Sequence, residues 1–226
     1  MTMASVVSEV MGSEFEKLHP KVQWRFGFGA DDHVAQFGTG VMESISHSAL
    51  LPPPALWLGG KRKMVPSSSG TDIPFTIANY AYTDDLGRPT LAFVRRFQFP
   101  GHEVALDSVM VLGSRGALDY IGSGPDMVVH TQCSADADGG LQLDSGLPRF
   151  LAPRGSIKPP GILSAETTGR EWWDEEQQRH RIDIEVRGRT LGQLFRYTGW
   201  FTATQETCLP TDLPPELGPT RTDPRE

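Results

Sequence analysis

Residues 73–99, IPFTIANYAYTDDLGRPTLAFVRRFQF, decide the fold. Ile73, Phe75, Ile77 and Asn79 share one side of an extended run, and Leu91, Phe93, Arg95, Phe97 and Phe99 share one side of the next. Alternation at a period of two is the mark of a strand with one buried face. Thr83-Asp84-Asp85-Leu86-Gly87 between them supplies turn chemistry, so the pair is an antiparallel hairpin. Outward from it, alternation and β-propensity predict strands at 21–28, 35–47, 55–58, 104–112, 117–121, 127–133, 140–144, 162–173, 180–187 and 194–204. Residues 136–140 (DADGG) and 173–177 (WDEEQ) form two further hairpin tips. Closely spaced strands of this kind predict a mainly β fold, an antiparallel sandwich or barrel.

The ends differ. Met3, Val6, Val7, Val10, Met11 and Leu18 recur at helical spacing, which predicts an N-terminal α-helix over the first twenty residues, stopped by Pro20. Residues 148–161 form a Pro-rich irregular crossing, not a strand. Residues 1–208 are expected to form one domain, and the Pro-rich 209–226 a mobile tail.

Composition bounds function. Among 226 residues, Gly 24 and Pro 18 exceed average usage and argue against a helical bundle. A formal charge of −7 is too acidic for a dedicated nucleic-acid binder. No apolar run is long enough to span a membrane. The start, MTMASVVSEVMG, lacks the basic and apolar regions of a signal peptide, which predicts a cytoplasmic protein. Cys133 and Cys208 are enough for one disulfide, with pairing left open. Homo-oligomerisation is likewise left open.

Gly27-Phe28-Gly29 and Gly38-Thr39-Gly40 do not continue into a dinucleotide fingerprint, and phosphate-loop and nucleophile-elbow motifs are absent. The six histidines are scattered, with no paired ligand spacing. No cofactor and no metal are therefore expected. Lys61-Arg62-Lys63 reads as a solvated basic loop, with an anionic-ligand contact as the lesser reading.

The informative signal is polar residues on apolar strand faces. In 35–47 the face Phe37, Thr39, Val41, Glu43, Ile45, His47 is interrupted by Glu43 and His47. Arg95 interrupts an aromatic face, while Arg96 points the other way; Glu171 shares a face with Ala165 and Trp173. Tyr197 lies with Phe195 and Phe201, and Trp200 on the opposite face with Arg196. An unpaired charge in an apolar layer costs several kcal/mol, so Arg95 requires a carboxylate, with Glu43, Glu171 and Asp107 as candidates. The plainer alternative is a buried pair that fixes sheet register. The functional alternative is a polar constellation in an aromatic-walled cavity.

Several segments together resemble a bacterial family, domain of unknown function 4166. They are residues 18–26 (LHPKVQWRF), Gly38-Thr39-Gly40, Ile77-Ala78-Asn79-Tyr80 with Asp84-Asp85-Leu86-Gly87-Arg88, and Phe93-Val94-Arg95-Arg96-Phe97. The later ones are Asp138-Gly139-Gly140-Leu141, Glu171-Trp172-Trp173-Asp174 and Tyr197-Thr198-Gly199-Trp200-Phe201. The resemblance spans about residues 15–204. It implies a lipocalin-like closed β-barrel of about ten strands, in stand-alone proteins or as appendages to oxidoreductase-like ones. The family's recurring polar positions match Arg25, Arg95 or Arg96, Glu171 and Tyr197, and none carries an agreed catalytic role.

These readings converge on a pocket for a hydrophobic small molecule. The leading expectation is a cofactor-independent cyclase or isomerase acting on an apolar intermediate of secondary metabolism through shape and acid/base residues. Its catalytic set is Glu43, Glu171, Arg95 and Tyr197. Arg25, His47, Asn79, Phe93, Phe97, Trp173 and Trp200 form the ligand-binding set. The alternative is a non-catalytic carrier or sensor using the same anchors, and a third is a barrel filled by its own side chains.

Overall fold

The computed structural model describes residues 5–113, 116–124, 127–152, 155–157 and 165–217. Its strands are β1 (Val34–His47), β2 (Gly70–Thr83), β3 (Pro89–Phe99), β4 (His102–Gly113), β5 (Gly116–Ile121), β6 (Met127–Ala135), β7 (Leu141–Ser145), β8 (Arg149–Ala152), β9 (Gly155–Ile157), β10 (Ala165–Asp174), β11 (Arg179–Gly188) and β12 (Gly192–Thr207). The helices are α1 (Val6–Met11), α2 (Pro20–Phe26) and α3 (Pro53–Lys61).

The β2–β3 hairpin forms as expected, with Phe75 opposite Phe97 and Ile77 opposite Arg95. Asp84 organises its tip: one carboxylate oxygen accepts from the Leu86 and Arg88 amides and the other from Arg88 Nε. β1 to β7 follow in ring order, then β10, β11 and β12, which pairs back onto β1. Every pairing is antiparallel. The fold is thus a closed ten-stranded barrel, with β8 attached to the β6 edge and β9 to β8. Closure removes the exposed strand edges that an open sheet would leave.

The N-terminal segment packs against β3–β6. Val6, Val7, Met11, Leu18, Val22 and Phe26 join the interior core there. It is also tied to two hairpin tips. The His19 amide donates to the Gly139 carbonyl at 2.8 Å, and its Nε2 lies 3.0 Å from Glu175. A second apolar layer lies outside the barrel, where Ala92, Val109, Val111, Leu118, Tyr120 and Val128 are covered by Leu217.

Four expectations need correction. Residues 21–28 are not a strand: Pro20 begins α2, with His19 as its cap, and Val22, Arg25 and Phe26 are buried at helical spacing. The leading helix is correspondingly shorter, α1 followed by a 3-10 turn over Gly12–Lys17. Residues 55–58 lie in α3, where Pro53 and Pro54 occupy the first helical turn. Residues 148–161 contain the short β8 and β9, while 158–161 lie outside the described residues. The expected strand at 162–173 is described from Ala165, and residues 162–164 lie outside. Residues 209–217 form two 3-10 turns, and 218–226 lie outside the described residues. Among the described residues no helix is long and apolar enough to cross a membrane.

Candidate functional site

The barrel interior holds two polar zones. Arg25, on α2, is the hub of the first and is 1% exposed. Its guanidinium donates to Gln36 Oε1 at 2.8 Å and Asn79 Oδ1 at 2.5 Å, and Nε lies 3.3 Å from Glu171 Oε1. Phe26 and Phe201 present their rings to the guanidinium. His180 Nδ1 is 3.6 Å from the same Glu171 oxygen, and its ring stacks on Phe201. Burial lifts the Glu171 carboxyl above its ordinary range against the pull of Arg25 and Arg95. Burial, with Arg25, Lys21 and His19 adding to it, holds His180 down at about 3. The zone is therefore a packed network around an internal ion pair.

The second zone is a cavity of about 220 Å³. Its walls are mostly aliphatic and aromatic, among them Leu106, Met110, Val129, Ile184, Val186 and Phe195. Into it project Arg95, Ser108, Asp119, Thr131, Ser145 and Tyr197. Leu51, Met64 and Val65 from the β1–β2 connection, Pro148 just before β8 and Phe150 within it also line the cavity. Arg95 Nε is buried and has no hydrogen-bond partner among the described residues, and its guanidinium lies 5.0 Å from the Phe93 ring centroid. Asp119 Oδ1 is likewise buried and unpartnered. Burial pushes the Asp119 carboxyl up, with Arg95 and Ser108 opposing. Burial also raises the Tyr197 hydroxyl, which Arg95 opposes. Arg95 sits between the zones, its charge felt by Arg25 and Glu171 on one side and by Asp119 and Tyr197 on the other.

The expected site residues thus separate. Arg95 and Tyr197 line the cavity; Arg25, Asn79 and Glu171 belong to the packed network. Phe93 and Phe97 are core, and Phe97 meets Tyr197 edge-on. His47 ends β1 opposite Phe195. Trp173 is at the plugged end, stacked with His19 and beneath Lys21 Nζ. Two residues face outward instead. Glu43 falls at a β-bulge between Met42 and Ser44 and is bound by Arg181 at 2.8 and 3.1 Å. Trp200 lies outside under the Arg179 guanidinium.

Among the described residues no carboxylate makes a direct ion pair with Arg95, although Glu171 and Asp119 both feel its charge. Asp107 is on the outer face, bound by Arg96 at 2.5 Å and Lys63 at 2.9 Å, which hold its carboxyl low despite burial. Lys63 is therefore a structural pin and not part of a solvated loop. Cys133 and Cys208 are both free, and burial takes the Cys133 thiol up to about 12.

Sequence reasoning missed Asp119, Ser108 and His180. His180 was legible: His180, Ile182, Ile184 and Val186 alternate cleanly with charged residues. Asp119 was not, because Leu118 and Tyr120 make the other face of β5 the more apolar one. Among the described residues no group of three or more His, Cys, Asp or Glu is arranged to hold a metal ion.

A family model described as "Domain of unknown function (DUF4166)" matches residues 18–201. The chain is 30% identical over 200 residues to an uncharacterized protein, YndH, of Bacillus subtilis (strain 168). That alignment covers 84% of this chain and 97% of the relative. No solved structure matches.

Proposed function

The chain belongs to the DUF4166 family, and from its cavity we propose that it binds a small, mainly apolar molecule carrying an anionic group, with Arg95 as the anchor. The observation behind this reading is the Arg95 guanidinium, fronting an apolar cavity with a buried Nε that lacks a partner among the described residues. A cation in such surroundings gains strongly from a carboxylate, sulfonate or phosphate brought by a ligand. The aliphatic walls take the apolar body, and Ser108, Thr131 and Tyr197 supply further hydrogen-bonding groups around it.

Titration with an apolar fluorescent sulfonate and with a neutral dye of similar size tests this. Arg95→Met should weaken the sulfonate about tenfold or more and leave the neutral dye nearly unchanged. Equal loss of both dyes would remove Arg95 as an anion anchor. Absence of saturable binding by the wild type would favour a barrel filled by its own side chains.

Asp119 favours a second reading, a cofactor-independent isomerase or cyclase. A carboxyl whose proton affinity is raised by burial, in a cavity shared with Arg95 and Tyr197, is suited to acid catalysis on an apolar substrate. Glu43 takes no part in it, being outside the barrel. Mass spectrometry of host extracts with and without the gene separates the readings. Accumulation of an isomer at unchanged mass in the deletion, reproduced by Asp119→Asn, supports chemistry; an unchanged metabolite profile supports binding alone.

A further inference from the structure

The connection between β1 and β2 is built unlike the rest of the chain. From Ser48 to Gly60 it carries no charged residue. Between His47 and Asp72 its charges are Lys61, Arg62 and Lys63, with no acid, in a chain of formal charge −7. Helices in folded proteins are held mainly by burying an apolar stripe, yet α3 buries no side chain. Trp57 is 65% exposed, Leu58 53%, and Leu50, just before the helix, 66%. Lys61, itself exposed, holds its ammonium 5.2 Å from the Trp57 ring centroid.

This apolar projection is fixed in place. Lys63 Nζ is bound to Asp107 at 2.9 Å, and the Asp107 amide donates to the Lys63 carbonyl at 3.1 Å. The Gly122 amide donates to the Asp107 carbonyl and the Ser123 amide to that of Arg62. Leu51, Met64 and Val65 of the same connection wall the cavity, so the connection that carries α3 borders it.

We propose that this face docks on an anionic lipid bilayer. Trp57, Leu58 and Leu50 enter the boundary between headgroups and acyl chains, and Lys61 lies among the phosphates. Two features select lipid over a protein partner. The exposed area of the three side chains is roughly 300–400 Å², well below the ~800 Å² per partner of a stable protein interface. Exposed Lys61, on a connection that carries no acid, complements a negative surface, whereas the acidic remainder of the chain is repelled by it, which turns this side of the cavity toward the bilayer. This proposal does not depend on what the cavity binds.

Co-sedimentation of the full chain with vesicles tests it. Vesicles of equimolar phosphatidylglycerol and phosphatidylcholine should retain the wild type, and high salt should weaken retention several-fold. The double variant Trp57→Ser, Leu58→Ser should partition about tenfold more weakly. Its circular dichroism and melting temperature should not change, because neither side chain is buried. Equal partitioning of variant and wild type would overturn the proposal, as would no retention of the wild type at millimolar lipid. A dimer in sedimentation velocity that the double variant abolishes, without vesicle binding, would assign the face to a second copy and overturn it equally.

Discussion

Glu171 and Arg25 form an ion pair from which water is excluded, at 5% and 1% exposure. Removing one charge leaves the other desolvated, so Glu171→Gln should lower stability by about 3–5 kcal/mol, read from urea midpoints. Replacing both partners with apolar residues, as Arg25→Met with Glu171→Leu, should recover most of that loss. A fully stable Glu171→Gln would mean that the carboxylate is free for chemistry. His180 makes a separate prediction. Its imidazole is held at about 3 in the fold against 6.5 unperturbed, so between those values the unfolded chain binds the additional proton. The stability that neutral His180 confers is complete above about 6.5 and is lost as pH falls toward 3. Glu171 and Asp119, both raised by burial, act in the opposite sense, so the contribution is seen only by difference. Compared with His180→Phe, the wild type should lose on the order of 4 kcal/mol more between neutral pH and pH ~3. Parallel pH profiles for the two proteins would show that the histidine is not held neutral.

At the scale of the element, β1 shows what apolarity alone cannot decide. Its more apolar face, Phe37 and Val41, points outward, while Gln36, Gly38, Gly40 and Met42 point inward. The glycines are required by their neighbours. A Cβ at Gly40 would lie 1.9 Å from the Trp200 carbonyl oxygen and 2.5 Å from Phe201 Cα. Phe201 thus occupies the space that a side chain on β1 would fill. Gly40→Ala should cost about 3 kcal/mol or more through forced separation of β1 and β12, against less than about 1 for Thr39→Ala on the outer face. Urea denaturation of the two variants decides it, and similar small costs would show that the strands can part cheaply. The bulge at Glu43 then shifts the pattern, bringing Ile45 inward while Glu43 stays outside. Strand existence and hairpin tips were legible because alternation and turn residues act locally. The polarity of β5 was not, because both of its faces are covered, nor was that of β1, whose outer face carries Phe37 and Val41 while glycines occupy the inner one. Arg95 and Tyr197 were legible because their strands alternate cleanly and have one covered face of obvious aromaticity. The 21–28 stretch misled because Val22, Trp24, Phe26 and Phe28 also fit a period of two, and only Pro20 at the first helical position argues otherwise.

Across the whole molecule, the barrel wall separates two apolar layers, and the chain itself covers the outer one. Leu217 is 1% exposed against Val109, Val111, Leu118 and Tyr120, and the Tyr82 hydroxyl donates to its carbonyl at 2.9 Å. This outer layer is why the face of β5 that carries Asp119 was free to be polar: Leu118 and Tyr120 satisfy the strand's need for burial on the other side. The C-terminal segment therefore indirectly shapes the cavity, since without a cover those two residues would favour an inward register. Leu217→Ala should cost about 2–3 kcal/mol, the range for a buried leucine whose site can partly collapse. Deleting residues 209–226 should cost more and leave an exposed apolar patch, seen as self-association in sedimentation velocity. At temperatures well below its melting transition the truncated chain should still bind the apolar sulfonate with wild-type affinity, because no described residue of the segment lines the cavity. A truncated chain that stays monomeric and equally stable would show that the outer layer needs no cover. One that folds but loses the sulfonate would show that the segment fixes the inward aim of Asp119 and its neighbours.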